Sequence, residues 1–196
     1  MAEYITQRPS LGTKPIEGAI ICLDRLGLTG QLKPDELVSL YESAMKKNYP
    51  KIKLLPGAQR LINHLSEKGI PMAIATGSAQ TGFEKKTGHI GDILRKPFSH
   101  HVFAGSDPEV KLGKPHPDVF LVAAKRFKNP PTDMKKVLVF EDAINGVKAA
   151  LAAGMQVVFV PDKKLNLNGV MVKPTLTLQS LEQFKPELFG LPPIAT

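Results

Sequence analysis

Cysteine is almost missing from this 196-residue chain, where Cys22 stands alone. A single thiol allows no internal disulfide and points to a reducing compartment. With no histidine near it in sequence, Cys22 reads as a small buried apolar side chain rather than a nucleophile. Long apolar runs are missing too. No stretch approaches membrane length, and Met1 to Pro15 lacks the apolar core of a secretory leader, so a soluble, cytoplasmic protein is expected. Basic tracts are also absent. The net charge is +8, yet no lysine run exceeds two residues and there is no arginine–aromatic interleaving, which argues against nucleic acid and for an anionic small ligand. Internal repeats and low-complexity tracts are absent as well.

What is present is enough apolar material, 42% of residues, for one sizeable core plus an appendage. The chain is organised around Val137 to Val160, V-L-V-F-E-D-A-I-N-G-V-K-A-A-L-A-A-G-M-Q-V-V-F-V. A continuous apolar run, an alanine-rich helix with the apolar set Val147, Ala150 and Leu151, a stop at Gly154 and a second apolar run predict a β-α-β unit. Its strands belong in a parallel sheet covered on both faces. Ligands of such sheets bind beyond the carboxyl ends of the strands. Glu141 and Asp142 stand at such an end, either as helix caps or as site residues.

Along the chain, Met1 to Lys14 is polar and expected to fray. The run from Ile16 to Leu28 reads either as a helix or as a strand, Ala19 to Leu23, ending in Asp24. A helix from Lys33 to about Lys47 carries the stripe Leu37, Leu40, Tyr41 and Ala44; another covers Ala58 to Lys68. Pro71 to Ala75 is a strand that ends in Thr76-Gly77-Ser78, a hydroxyl turn able to cap a helix or cradle a phosphate. His101 to Ala104 is a third strand, and its adjacent histidines point to opposite faces. The loop G-K-P-H-P-D holds Lys114 between restricting prolines before a helix from Pro117 to Phe127. An Asn-rich loop follows Asp162, then a short strand at Thr175 to Leu178, a turn at Ser180 to Phe184 and a proline-broken tail.

Three strand ends therefore offer a hydroxyl turn, a lysine and an acid pair, which together can bind a phosphate and hold a divalent cation. In A-I-A-T-G-S, G-K-P-H-P-D-V-F and V-F-E-D-A-I-N-G-V-K-A-A-L-A-A-G-M the chain resembles the haloacid-dehalogenase-like (HAD) hydrolases. D-P-E-V-K-L-G-K-P-H-P-D and Q-F-K-P-E-L-F-G-L-P are similar to their animal pseudouridine-5′-phosphatase branch. The resemblance implies an α/β fold with a Rossmann-like parallel sheet. It divides the chain into a disordered start and partial helical cap (1–54), a HAD-like core (55–191) and a tail (192–196). It further implies a Mg2+-dependent phosphatase of a small phosphorylated metabolite, a nucleotide or sugar monophosphate. Thr76, Gly77 and Ser78 would bind the phosphoryl group, Lys114 would stabilise its charge, Asp142 would ligate Mg2+, and Glu141 would ligate it or hold a bound water.

The family's first motif, D-x-D at the end of a central strand, occurs nowhere in this sequence. Its first aspartate is the nucleophile and its second the acid and base. Asp24 is the one substitute available, but Leu26 stands where the second acid belongs. The helical cap reading of the Ile16 to Leu28 run is therefore preferred. The expectation is a shortened chain without its first strand and part of its cap, with little or no turnover of its own. The sheet would then close up, be filled by an N-terminal segment, or be poorly stable.

Overall fold

The computed structural model describes residues 12–165, 167 and 171–194. The fraying expected of residues 1–11, four residues of the Asn-rich loop and the last two of the tail lie outside the described residues.

Prolines open the first two helices of the described residues, α1 (Pro15–Arg25) and α2 (Pro34–Met45), at the position where a missing N–H breaks no helical bond. The helical reading of the Ile16 run holds and the strand reading falls. Asp24 is an exposed residue in the last turn of α1, and the helix ends before Gly27, which turns the chain at φ 68°. α1 buries Ala19 and Leu23. The stripe expected on α2 needs correction. α2 packs against α1 and the tight turn Lys46–Lys51, which cover it only in part. Leu40 and Tyr41 are 58% and 57% exposed, and α2 buries no residue.

The α/β core follows, with α3 (Ala58–Glu67), β1 (Ala73–Thr76), α4 (Gln80–Thr87), β2 (His100–Phe103), α5 (Asp118–Lys125), β3 (Leu138–Glu141), α6 (Ile144–Ala152), β4 (Gln156–Phe159) and β5 (Leu176–Thr177). Every pairing is parallel. β1 pairs with β2, placing Thr76 opposite Phe103; β4 lies between β3 and β5, with Glu141 opposite Phe159. Among the described residues β1 and β3 do not pair, so the sheet is split in two and does not close up.

The β3-α6-β4 unit forms as its pattern requires. Val147, Ala149 and Ala150 are wholly buried, and Gly154 ends the helix at φ 76°. Leu151, expected in the buried set, instead faces partly outward. One residue past Ala150 is about 100° around the helix, and the alanines already let α6 approach the strands closely.

One apolar cluster spans both sheets, joining Val102, Val119, Val139, Val147 and Val157 with Ala73 and Ala75 packed against them. A second, formed by Leu61, Leu65, Val158, Val160, Leu181 and Phe184, lies against α3 and the end of the chain. The described end of the chain is therefore docked on the core. Pro186 is fully buried, Phe184 meets Phe140 edge-on at 4.9 Å, and His64 Nε2 lies 2.8 Å from the carbonyl oxygen of Pro192. His100 and His101 reach separate carbonyls, of Ala123 and Leu94, as expected of neighbours on opposite faces of a strand.

Candidate active site

The hydroxyl turn forms where β1 stops. The Ser78 N–H donates to Thr76 Oγ1 across 3.2 Å, a short side-chain loop of the kind that competes with a regular ladder and ends it. Gly77 is the residue this turn needs. A Cβ there would fall 2.5 Å and 2.7 Å from the carbonyl oxygens of Gly12 and Thr13.

Lys114 comes to the same place from the loop before α5. That loop is held by Asp118, whose Oδ2 accepts the N–H groups of Lys111 and Leu112 at 3.0 Å and 2.9 Å. Only 4% of Lys114 is exposed. Its Nζ donates to the carbonyl of Ala75 (3.3 Å) and to Glu141 Oε1, and it sits 4.6 Å above the Phe120 ring. A lysine this deep needs a compensating anion. Glu141 supplies it from the end of β3, while its other oxygen accepts the Ala143 N–H at 3.3 Å. Gly146 leaves room for that carboxylate; a Cβ there would fall 2.0–2.3 Å from the Glu141 carboxylate atoms.

Three of the anticipated elements thus meet: the Thr76–Ser78 turn, Lys114 and Glu141. Asp142 is adjacent and exposed. Neither acid is the N-cap of α6, which is Ala143 with no side-chain bond. Exposed Asp24 belongs to α1, and His116, next to Lys114, is exposed too.

The fraying expected of the start of the chain fails for Gly12 to Lys14, which form a strap across this meeting point. Gly12 faces Lys114, Ala143 and Asn145, with its Cβ direction 3.5–3.9 Å from their side chains. Lys14 Nζ donates to the carbonyls of Val110 (2.7 Å) and Lys111 (3.0 Å), and Glu17 Oε1 accepts the Gly113 N–H at 3.2 Å. These contacts join positions almost a hundred residues apart, and no local pattern announces them.

Lys86 was also not legible as a site residue. From α4 its Nζ donates to Ser78 Oγ at 3.3 Å. Burial pushes this ammonium below the usual lysine range, with the Glu42 carboxylate acting in the opposite sense.

Magnesium, which the resemblance implies, meets here, among the described residues, one uncommitted carboxylate, Asp142, because Glu141 is engaged by Lys114. Among the described residues no group of three or more His, Cys, Asp or Glu could hold a metal ion. The described residues therefore do not complete a site for it. Chemically, the assembled groups can position and neutralise an anion; they present no aspartate pair for attack and proton transfer.

The family model for haloacid dehalogenase-like hydrolases matches residues 4–154. The chain is 46% identical over 183 residues to (DL)-glycerol-3-phosphatase 2 of Arabidopsis thaliana, covering 93% of this chain and 75% of that protein. It is 49% identical over 139 residues to a probable pseudouridine-5′-phosphatase of Drosophila melanogaster, covering 71% of this chain and 59% of that protein. Among solved structures, the β-phosphoglucomutase of Clostridium difficile superposes with a TM-score of 0.72 over 91% of this chain and 76% of its own, at 22% identity, a likeness of fold alone. The chain belongs to the haloacid dehalogenase-like hydrolases.

Proposed function

We propose that this chain carries the phosphate-recognition half of a small-molecule phosphomonoester hydrolase and has little or no turnover of its own. The observation that carries the reading is the convergence of the Thr76–Ser78 turn, Lys114 and Glu141 at the ends of β1 and β3. Phosphoryl transfer asks chiefly for positioning and for charge stabilisation, and these groups serve both. Thr76, Gly77 and Ser78 would receive the phosphoryl oxygens, and Lys114 would hold the site's electrostatic balance with Glu141. Asp142 is the proposed magnesium ligand, with further ligands required from beyond the described residues. The relatives named for glycerol 3-phosphate and pseudouridine 5′-phosphate support a polyol, sugar or nucleotide monophosphate as the ligand class. A reducing, cytoplasmic setting suits the lone Cys22.

The low turnover follows from chemistry the sequence does not contain. With no D-x-D pair, the covalent route loses both its nucleophile and its proton donor. Asp24 does not replace them, since it is an exposed residue of α1. This absence also supports a form shortened at the family's first strand. The alternative reading, an inactive member that binds a phosphorylated ligand or a protein, shares the same site.

The test is phosphate release from glycerol 3-phosphate, pseudouridine 5′-phosphate and an aryl phosphate, with magnesium present, using the folded chain beside its Asp24→Asn and Asp142→Asn variants. No turnover above background is expected. Turnover that disappears with Asp24→Asn would overturn the reading and make Asp24 a nucleophile after all.

A further inference from the structure

Several cations among the described residues are held by carboxylates. Lys85 pairs with Glu42 at 3.1 Å, Lys96 with Asp92, Lys125 with Glu109, and Arg126 with both Asp107 and Glu109. Lys114, expected to meet the phosphate, is likewise matched by Glu141 and by the carbonyl of Ala75. Lys86 differs. It is half-buried, and its one hydrogen bond among the described residues goes to a neutral hydroxyl, Ser78 Oγ. That hydroxyl belongs to the turn that closes β1.

The reach is a helical one. Side chains of an α-helix lean back towards its N-terminus, so a lysine in the second turn of α4 returns its ammonium to the residues just before the helix. Glu42 of α2 lies on the other side, close enough to act on Lys86 through space, but its carboxylate is held by Lys85. An ammonium shielded from water without an anion is unfavourable, and an arriving anion would offset that cost. The lowered proton affinity of Lys86 fits a cation in just this condition.

We propose that Lys86 is a specificity-determining residue of this site: its ammonium, steered by Ser78, binds the phosphate group of a small phosphomonoester seated on the Thr76–Ser78 turn. Lys114 keeps the site's charge balance with Glu141, and Lys86 adds a cation with no ion pair among the described residues that favours an anionic ligand. The proposal rests on the phosphate-recognition reading and deepens it.

Calorimetric titration of the full chain with inorganic phosphate and with glycerol 3-phosphate tests it, in wild type and in the Lys86→Gln, Lys86→Arg and Lys85→Gln variants. Lys86→Gln should weaken both ligands by about tenfold or more, as expected for one charge-assisted contact. Lys86→Arg should stay within about threefold of wild type. Lys85→Gln releases the Glu42 carboxylate towards Lys86 and should weaken both ligands in the same direction, by less than Lys86→Gln. A signal that needs no variant is the Lys86 side-chain resonance of the wild-type protein, which should move on addition of inorganic phosphate. Equal affinity in Lys86→Gln and wild type, or a Lys86 resonance indifferent to phosphate that binds, would overturn the role of Lys86 and leave the phosphate-recognition reading standing. Failure of wild type to bind either ligand would overturn both.

Discussion

Lys114 and Glu141 show how a single contact sets what the site can be. Their side chains are 5% and 7% exposed, so each is the main compensation for the other's charge. Removing one member of such a pair leaves a buried ion without its counterpart, at a cost of about 3–5 kcal/mol, whereas replacing both with apolar groups of similar volume is often neutral or better. Glu141→Gln should therefore lower stability by about that amount in denaturant titration. The Lys114→Met, Glu141→Leu double variant should recover most of the loss. A Glu141→Gln protein as stable as wild type would show that the pair does not carry this weight. The sequence showed both residues as site candidates but not as partners, since they stand 27 positions apart and each had another role available. Lys86 was hidden for a related reason. In a helix with an adjacent Lys85, nothing local distinguishes a solvated lysine from one that folds back onto Ser78.

Elements are joined here by loops whose geometry is electrostatic. The segment after β2 is tied to the end of α5 by Arg126, which reaches Asp107 through two hydrogen bonds of 2.5 Å and 2.9 Å and Glu109 through a third of 2.6 Å. The Arg126 guanidinium holds the Asp107 carboxyl below the usual carboxylate range; burial opposes this, and the Glu109 N–H adds to it. A group whose folded value is depressed stabilises the fold above its unfolded value, near pH 4, and that contribution fades as pH falls towards the folded value. Asp107→Asn should thus cost about 2 kcal/mol at neutral pH, the scale of hydrogen bonds to a charged group. The gap to wild type should shrink below about pH 4. Stability curves for the two proteins between pH 7 and pH 2 check this, and a gap independent of pH would refute it. The elements themselves were largely legible. The β3-α6-β4 unit announces itself by an unbroken apolar run, closely packed alanines and a left-handed glycine, all local signals. The docked tail and the strap at Gly12 to Lys14 were not, because short turns carry little periodicity and their partners are remote. The bond between His64 and Pro192 spans 128 positions.

At the scale of the whole molecule, the question is whether two separate parallel sheets behave as one body. No backbone pairing joins β1 to β3 among the described residues, and unpaired strand edges leave amide groups in need of partners. Two things bind the halves instead. One is Lys114, anchored to Ala75 on one sheet and Glu141 on the other. The other is the shared apolar cluster, in which Val102 of β2, Val119 of α5, Val147 of α6 and Val157 of β4 are completely buried, each worth about 1.5–3 kcal/mol of transfer free energy. Apolar burial on this scale exceeds what the missing ladder bonds would add at about 1 kcal/mol apiece, so the halves should open together. Native-state hydrogen exchange measures this directly. The slowest amides of the β1–β2 pair and of the β3–β4 pair should report the same opening free energy within about 1 kcal/mol, and Glu141→Gln should lower both in step. If the β1–β2 amides instead opened at a free energy lower by about 2 kcal/mol or more, the Thr76–Ser78 turn would detach from Lys114 and Glu141 while the rest stayed folded. The recognition site would then exist only when a ligand, or a strand placed between β1 and β3, held the two sheets together.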